Sequence, residues 1–382
     1  MSRRPFSMYR RKGNGRYYVQ LWDETSKRYL PAKSAGTTNK VKARAKANAM
    51  LISFRAAQSE IPDPVFIKYL QETWDWETSS YVRARLSRRP DGLTKAYVKN
   101  NLSYIKRYAS PFFARKKRSE ITSRDLEAFL MHLKTTTELT PKSINSIFNA
   151  VTIPIRDAYR LGEIPYDPTR PVRKLWVPHY EKGIPSLSEV KTLIDRPWSD
   201  SRLETACLLA IVCGLRLGEI RALRLEDIEN NLLQVRHSYS AVDGLKAPKN
   251  GQTRTVPLPS FLHDKLIFLA EQNPNDGSWV FWGRATERPA SPSFFEDGFN
   301  SALDAIGITK AQRRERRLSF HSLRHFCNAM LRGSIPDEKL RLLIGHCTPS
   351  MTNRYDHATS VDLAMLHEAQ ESKILSIFGK SA

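Results

Sequence analysis

Acidic side chains are in short supply: 39 Asp and Glu face 61 Lys and Arg, which gives this 382-residue chain a net charge of +22. A surface so basic repels itself unless an anion covers it, and this points to a polyanionic partner, DNA or RNA foremost. Long apolar runs are missing too. The longest, Ala206 to Leu215, has ten residues and cannot span the roughly 30 Å hydrocarbon core of a bilayer. No membrane partner is expected. The basic Met1-Ser2-Arg3-Arg4 is followed by no apolar stretch, so it does not read as a secretory signal, and a cytoplasmic location is expected. Cysteine is sparse: Cys207, Cys213, Cys327 and Cys347 show no Cys-x-x-Cys spacing, which indicates neither a disulfide framework nor a zinc site. Internal repeats and low-complexity tracts are likewise absent.

What is present suits a folded multidomain protein, since 41% hydrophobic residues over this length exceed what one ordinary core holds. The first 60 residues carry 14 Lys and Arg against 3 Asp and Glu, half of the net charge. Residues 8–35 alternate aromatic and polar side chains between turn-forming segments, which predicts short strands. Lys40 to Gln58 places Ala47, Met50, Leu51 and Phe54 on one face and predicts a basic amphipathic helix. A small α+β domain over 1–60 follows, with Arg10, Arg11, Lys12 and Arg16 as candidate DNA contacts among its aromatics.

Pro62-Asp63-Pro64 marks a linker, because proline disfavours helix before it and cannot continue a helical ladder. From there to residue 177 the pattern predicts an all-α domain. Its helices are read over Val65–Ser80 and Leu93–Tyr108, then from Thr122 with Asp125 three residues on, and from Thr140-Pro141 to about Leu161. Lysines and arginines recur along them, among them Lys95 and Lys99. Pro165 to Pro185 is proline-rich and basic, with Arg173 and Lys174 suited to lie over a phosphate backbone. Ser186 and Glu189 form a capping-box pattern that opens the next helix. The last domain, 178–382, reads as mixed and mainly α, with one small antiparallel sheet between about 232 and 258.

That last domain concentrates the chemistry. His321-Ser322-Leu323-Arg324, then Gly345-His346, then Tyr355, bring charge clamps, proton handlers and a nucleophile into one short stretch. Gly214-Leu215-Arg216 and Pro248-Lys249-Asn250-Gly251 add an arginine and a lysine upstream. A phenol with an ordinary pKa near 10 needs a base or flanking cations to attack phosphorus. Arginine suits the clamp, because its fork donates two parallel hydrogen bonds to non-bridging oxygens and keeps its proton. Arg216 and Arg324 are the candidate clamps; His321, three residues before Arg324, shares its helix face. His346 follows a glycine that permits close backbone approach. Lys249 is the candidate acid for the leaving 5′ oxygen. Asn250-Gly251 accept the positive φ angles of a type I′ turn, which places Lys249 at a hairpin tip, with Lys246 outside the turn. Glu219 either orients a catalytic partner or is a structural acid at a helix N-terminus.

In that order, Arg, Lys, His-x-x-Arg, His and Tyr, these residues closely resemble the tyrosine recombinase (phage integrase) family. The likeness is dense from about 205 to 358 and architectural upstream. Ile344 before Gly-His and Asp356 after the tyrosine depart from the commoner residues. The resemblance implies an N-terminal arm-site-binding domain, a helical core-binding domain and a catalytic domain that close on duplex DNA. It implies Arg216, Lys249, His321, Arg324, His346 and Tyr355 as the catalytic set. It further implies a 3′-phosphotyrosyl intermediate, a Holliday junction, a homotetramer on two DNA sites, a bacterial cytoplasmic or nucleoid setting and no cofactor or metal. A directionality factor or DNA-bending protein is a further candidate partner. The amphipathic tail from Leu363 to Ala369 suits docking either on a neighbouring protomer or on its own domain. Two other functions stay open: a type IB topoisomerase, which shares the nucleophile, and a non-catalytic DNA-binding regulator, which would have no use for Tyr355.

Overall fold

The computed structural model describes residues 4–378, apart from 12, 14, 24–26, 59–62, 165, 179–182, 249–250, 252, 276 and 346–359. The chain divides into two units, Met1–Pro178 and His179–Ala382.

In the first unit, the alternating start forms strands β1 (Phe6–Arg10), β2 (Tyr17–Asp23), β3 (Arg28–Tyr29) and β4 (Lys33–Ser34). All pairings are antiparallel: β2 takes β1 along one edge, with Met8 opposite Val19, and β3 and β4 in succession along the other. Period-two alternation sends Phe6, Met8, Tyr17, Val19 and Leu21 to one face. There they pack on Ala43, Ala47 and Met50 of helix α1 (Lys40–Gln58). The opposite face carries Tyr9 stacked on Tyr18, their ring centroids 6.1 Å apart.

A second core in this unit is entirely helical. It is built from α2 (Phe66–Thr73), α3 (Ser80–Arg88), α4 (Lys95–Tyr104), α5 (Ser110–Phe113), α6 (Ser123–Thr136) and α7 (Pro141–Arg160). The single helix predicted over 65–80 is two. Asp75 Oδ1 accepts hydrogen bonds from the Glu77 and Thr78 amides and the Thr78 hydroxyl at 3.0, 2.7 and 2.7 Å. That side chain competes with the helical ladder and turns the chain. Ser79 then caps α3 by accepting from Val82 N at 3.2 Å. The helix predicted to reach Tyr108 starts at Lys95 and passes into a wider π turn over Ile105–Ala109. The caps read at Thr122 and Thr140 both form: Thr122 Oγ1 accepts from Asp125 N at 3.2 Å, and Thr140 Oγ1 from Ser143 N at 3.3 Å. Pro154 inside α7 has no amide to offer the Ala150 carbonyl. The indole of Trp74, which is fully buried, donates to that carbonyl instead at 2.7 Å.

In the second unit, α9 (Ser201–Val212) follows α8 (Leu187–Asp195) and is apolar all round from Ala206 to its end. A helix of that kind belongs at the centre of a domain. It is followed by α10 (Leu217–Arg221), β5 (Ile228–Glu229), β6 (Leu232–Val235), β7 (Ser238–Ser240), β8 (Gly244–Lys246) and β9 (Arg254–Pro257). Then come α11 (Ser260–Glu271), α12 (Pro292–Ala305), α13 (Lys310–Arg316), α14 (His321–Leu331), α15 (Asp337–Ile344) and α16 (Ser360–Lys373). The helices α10, α11, α12 and α14 pack around α9. The capping box expected at Ser186 forms, with Ser186 Oγ accepting from Glu189 N at 3.2 Å and Glu189 Oε2 from Ser186 N at 2.7 Å.

The strands give β5-β6-β9 in one antiparallel sheet and a separate β7-β8 hairpin. This corrects the hairpin expected around Lys249. The strands on either side of it, β8 and β9, take other partners, β7 and β6. Between these strands of two different sheets Gly251 N donates to Pro248 O at 2.7 Å, and Lys249 and Asn250 themselves lie outside the described residues. The tail helix α16 packs on its own unit: Leu366 is buried, and the buried Gln370 donates from Nε2 to Val212 O at 3.1 Å. No helix among the described residues is long and apolar enough to cross a membrane.

Candidate active site

Arg216 sits at the N-terminus of α10, where the first amides of a helix lack intrahelical partners. Glu219 supplies one, its Oε2 accepting from Arg216 N at 3.0 Å, while Oε1 accepts from Arg216 Nη1 at 2.7 Å. Glu219 is thus both a helix-terminal acid and the anchor of the Arg216 guanidinium. The carboxylate is buried, its side chain 1% exposed, and two further arginines reach it. Arg254, at the start of β9, donates from Nη2 to Oε2 at 2.7 Å and from Nη1 to Oε1 at 3.2 Å. Arg324, one helical turn after His321 on α14, places Nη1 at 4.0 Å from Oε2.

The same three arginines hold the last turn of α15. Three successive carbonyls there each accept from a different guanidinium: Leu343 O from Arg254 Nε at 2.8 Å, Ile344 O from Arg324 Nη2, and Gly345 O from Arg216 Nη2 at 3.0 Å. The final carbonyls of a helix have no intrahelical donors, and cations are favoured beside them. Gly345 ends α15 in the left-handed region at φ +66°, and a Cβ there would stand 3.0 Å from Arg254 Nη1. Glycine meets both demands. Arg324 also donates from Nη1 to Gly214 O, so it ties the end of α9 to the end of α15.

Burial alone would raise the Glu219 carboxyl. The Arg254 charge and hydrogen bonds, with the Arg216 amide and charge, outweigh it and hold the carboxyl at about 2. Arg324 is pushed down to about 9, first by burial and then by Arg216, against the pull of Glu219. It stays cationic at neutral pH. Exposure separates the two candidate clamps, because the Arg216 side chain is 20% exposed and that of Arg324 only 1%. His321 opens α14 and is half-buried, its ring edge-on to that of His325 with centroids 4.6 Å apart.

The structure therefore brings Arg216, Glu219 and Arg324 together and sets His321 on the helix that carries Arg324. Lys249, His346 and Tyr355 lie outside the described residues. Lys246, in β8, is held by Asp243 Oδ2 at 2.6 Å. Arg254 is the residue that sequence reasoning missed. Its signal was its phase, since it stands two residues before the buried Val256 on one strand, opposite Val235, and so points to the buried face.

The candidate DNA contacts are spread over the first unit. Arg10 and Arg11 are exposed, Arg10 Nε donating to Gly15 O at 2.8 Å and Arg11 lying 5.3 Å from the Tyr18 ring centre. Arg16 is exposed as well, and Lys12 lies outside the described residues. Lys95 pairs with Glu77 at 3.0 Å, whereas Lys99 is exposed on the same helix. Arg173 and Lys174 are exposed beside Trp176, which is 79% exposed. The segment that carries them is pinned to α7 by Asn145, whose side chain bonds both the amide and the carbonyl of Leu175. Among the described residues no group of three or more His, Cys, Asp or Glu side chains is placed to hold a metal ion.

Known proteins bear on this arrangement. Residues 186–361 match the model of the phage integrase family. Tyrosine recombinase XerA of Thermococcus onnurineus is 28% identical over 236 residues, which cover 59% of this chain and 75% of that one. Two solved structures share the fold, mostly helical with small antiparallel sheets. The Tn1549 transposon integrase in complex with a circular intermediate DNA superposes with a TM-score of 0.59 at 15% identity, covering 80% of this chain and 99% of that one. A lambda integrase tetramer bound to a Holliday junction gives 0.57 at 17% identity, covering 92% and 98%. The two arginine motifs and the buried carboxylate between them all lie inside the matched segment: residues 186–361 form a phage integrase family domain, the domain of tyrosine recombinases, enzymes that break and rejoin DNA strands.

Proposed function

We propose that this chain is a site-specific recombinase, the integrase of a mobile element, with Tyr355 as its nucleophile. In the first step the Tyr355 phenol oxygen bonds to the scissile phosphorus as the bond to the 5′ oxygen breaks. Tyr355 gives up its proton to a histidine of the site, and Lys249 delivers one to the departing 5′ oxygen, which leaves as a hydroxyl; both transfers reverse when the partner strand's 5′ hydroxyl attacks. The product is a 3′-phosphotyrosyl bond that retains the energy of the phosphodiester. The 5′ hydroxyl of a partner strand then attacks the same phosphorus and releases Tyr355. Two rounds of exchange pass through a Holliday junction on a homotetramer, and bond energy is conserved without ATP.

Arg216 and Arg324 stabilise the charge that builds on the non-bridging oxygens. A guanidinium carries five N–H donors; the bonds of Arg216 to Glu219 and Gly345 use two, leaving donors for a phosphate. His321 and His346 are assigned to the same phosphate. The single observation that carries this reading is the convergence of Arg216 and Arg324, 108 residues apart in the sequence (324 − 216), on one buried carboxylate. In the same reading residues 1–60 bind arm sites, 61–177 grip the core site and 178–382 do the chemistry, in the cytoplasm. Arg10, Arg11, Lys12 and Arg16 serve the first of these contacts, and Lys95, Lys99, Arg173 and Lys174 the second.

The test is denaturing recovery of protein-bound DNA from cells that express the wild type or Tyr355→Phe, followed by sequencing of the trapped ends. Ends clustered at one short inverted-repeat site in the wild type alone would support the reading and deliver the substrate. Scattered ends would favour the type IB topoisomerase chemistry, and adducts that persist in Tyr355→Phe would remove Tyr355 as nucleophile.

A further inference from the structure

We infer that Arg254 is a positioning residue of the strand-cleavage reaction: it fixes the Glu219 carboxylate that aims Arg216 and pins the helix end that leads into His346. This rests on the recombinase reading of the site. Arg254 occupies both carboxylate oxygens, Oε2 at 2.7 Å and Oε1 at 3.2 Å, and so fixes the plane of the group. Arg216 then bonds Oε1 through Nη1 at 2.7 Å in a direction that Arg254 has set. Without Arg254, the carboxylate is held only by the amide and Nη1 of Arg216 itself, so nothing outside Arg216 sets the direction of its fork.

The third donor of Arg254 extends the effect across the site. Nε holds Leu343 O at 2.8 Å, and Arg216 holds Gly345 O two residues further on. One guanidinium therefore sets the carboxylate under the clamp and also the backbone from which His346 departs. Arg254 does not touch substrate in this arrangement. Its side chain is 8% exposed, its donors face Glu219 and the end of α15, and the more open Arg216 is the member of the pair turned to solvent. A lysine cannot replace it in kind, because an ammonium lacks the planar fork that grips two oxygens in one plane while a third donor reaches Leu343.

A bland account makes Arg254 only a counter-charge for a buried acid. Arg254→Lys keeps that charge and Arg254→Gln removes it, so the two variants separate the accounts. On the duplex recovered by trapping, single-turnover adduct formation and DNA affinity are measured side by side. The side-chain Nε–H resonance of Arg216 is recorded without DNA. Because misplacement of reacting groups by about 1 Å costs on the order of a hundredfold, Arg254→Lys should slow adduct formation by about that factor. Its DNA dissociation constant and denaturation midpoint should stay close to wild type, and the Arg216 resonance should move. Wild-type adduct rates in Arg254→Lys, with losses confined to an unstable Arg254→Gln, would overturn the inference in favour of the counter-charge. If the wild type itself forms no adduct, the recombinase reading has failed separately. The Arg216 resonance then decides alone: a shift in Arg254→Lys upholds the positioning contact, and an unchanged resonance overturns it.

Discussion

Replacing Glu219 by Gln keeps the shape of the side chain and one acceptor oxygen but removes the only carboxylate described among three guanidiniums. The cost can be worked from two directions. By proton linkage, a carboxyl brought from its ordinary 4.5 to about 2 is favoured by about 3 kcal/mol, at about 1.4 kcal/mol for each tenfold change in proton affinity. From the geometry, both Glu219 and Arg324 have side chains 1% exposed and Arg254 8%, so the substitution leaves buried cations without their counter-charge. Breaking a buried pair in that way costs about 3–5 kcal/mol. The two figures agree, and no discount for solvent screening applies to a group so covered.

The pH dependence gives the prediction its discriminating power. A carboxyl whose folded-state value lies below its unfolded one stabilises the fold fully above the unfolded value, and that contribution is lost as pH falls through the folded value. The gap between wild type and Glu219→Gln should therefore be about 3 kcal/mol at pH 7. It should narrow as the medium is taken from pH 4.5 towards 2. Denaturant unfolding of both proteins at several pH values measures the gap. The second unit should be followed by near-ultraviolet signals, because the chain divides in two and a single transition cannot be assumed. A gap under about 1 kcal/mol at pH 7, below the range for a broken buried pair, would refute the charge argument. So would a gap that does not change with acid.

Arg216→Ala should cut adduct formation by about 10²–10³, the loss typical of one donor to developing charge; single-turnover cleavage close to wild type would remove it from the clamp. Gly345→Ala forces a side chain into φ +66° and to 3.0 Å from Arg254 Nη1. It should destabilise the second unit by about 1–2 kcal/mol in denaturant melts, and an unchanged midpoint would show that the α15 end adjusts freely. Changing Arg10, Arg11 and Arg16 together to Gln should flatten the salt dependence of arm-site binding by up to about three in log–log slope, since each phosphate left without its cation removes about 0.9. An unaltered slope would place the arm contacts elsewhere.

Local signals were legible wherever cause and effect lie within a few residues. Thr122 with Asp125, Thr140 with Pro141 and Ser186 with Glu189 each open a helix where the sequence puts them. The break at Asp75 was not read, although it too is local. Its carboxylate takes three donors from 77 and 78, and helical periodicity carries no trace of side-chain competition for the backbone. The paired arginines were legible from their motifs, but what holds them was not. Arg254 meets Glu219 across 35 positions and Leu343 across 89, and no spacing rule reaches that far. The hairpin expected at Lys249 failed for a related reason: turn chemistry reports the bend, while the choice of partner strand is made by the buried face of β6 opposite Arg254 and Val256.

The charge balance of the site joins these pieces. Three guanidiniums meet one carboxylate, so the described centre carries 3 − 1 = +2. A phosphodiester brings one negative charge in its ground state, and the pentavalent centre formed by phenol attack holds more on its equatorial oxygens. Without Glu219 the three arginines would repel one another and their forks would splay. With a second carboxylate the excess that attracts phosphate would halve. In the proposed reaction, one carboxylate would keep the arginines together and leave a surplus that matches the transition state better than the bound substrate, the condition under which binding energy accelerates the chemical step. Arg254 has a place in that balance: buried, with all three of its nitrogens bonded to Glu219 or Leu343, it supplies charge that holds Glu219 ionised and leaves Arg216, the exposed member, with donors to turn outward.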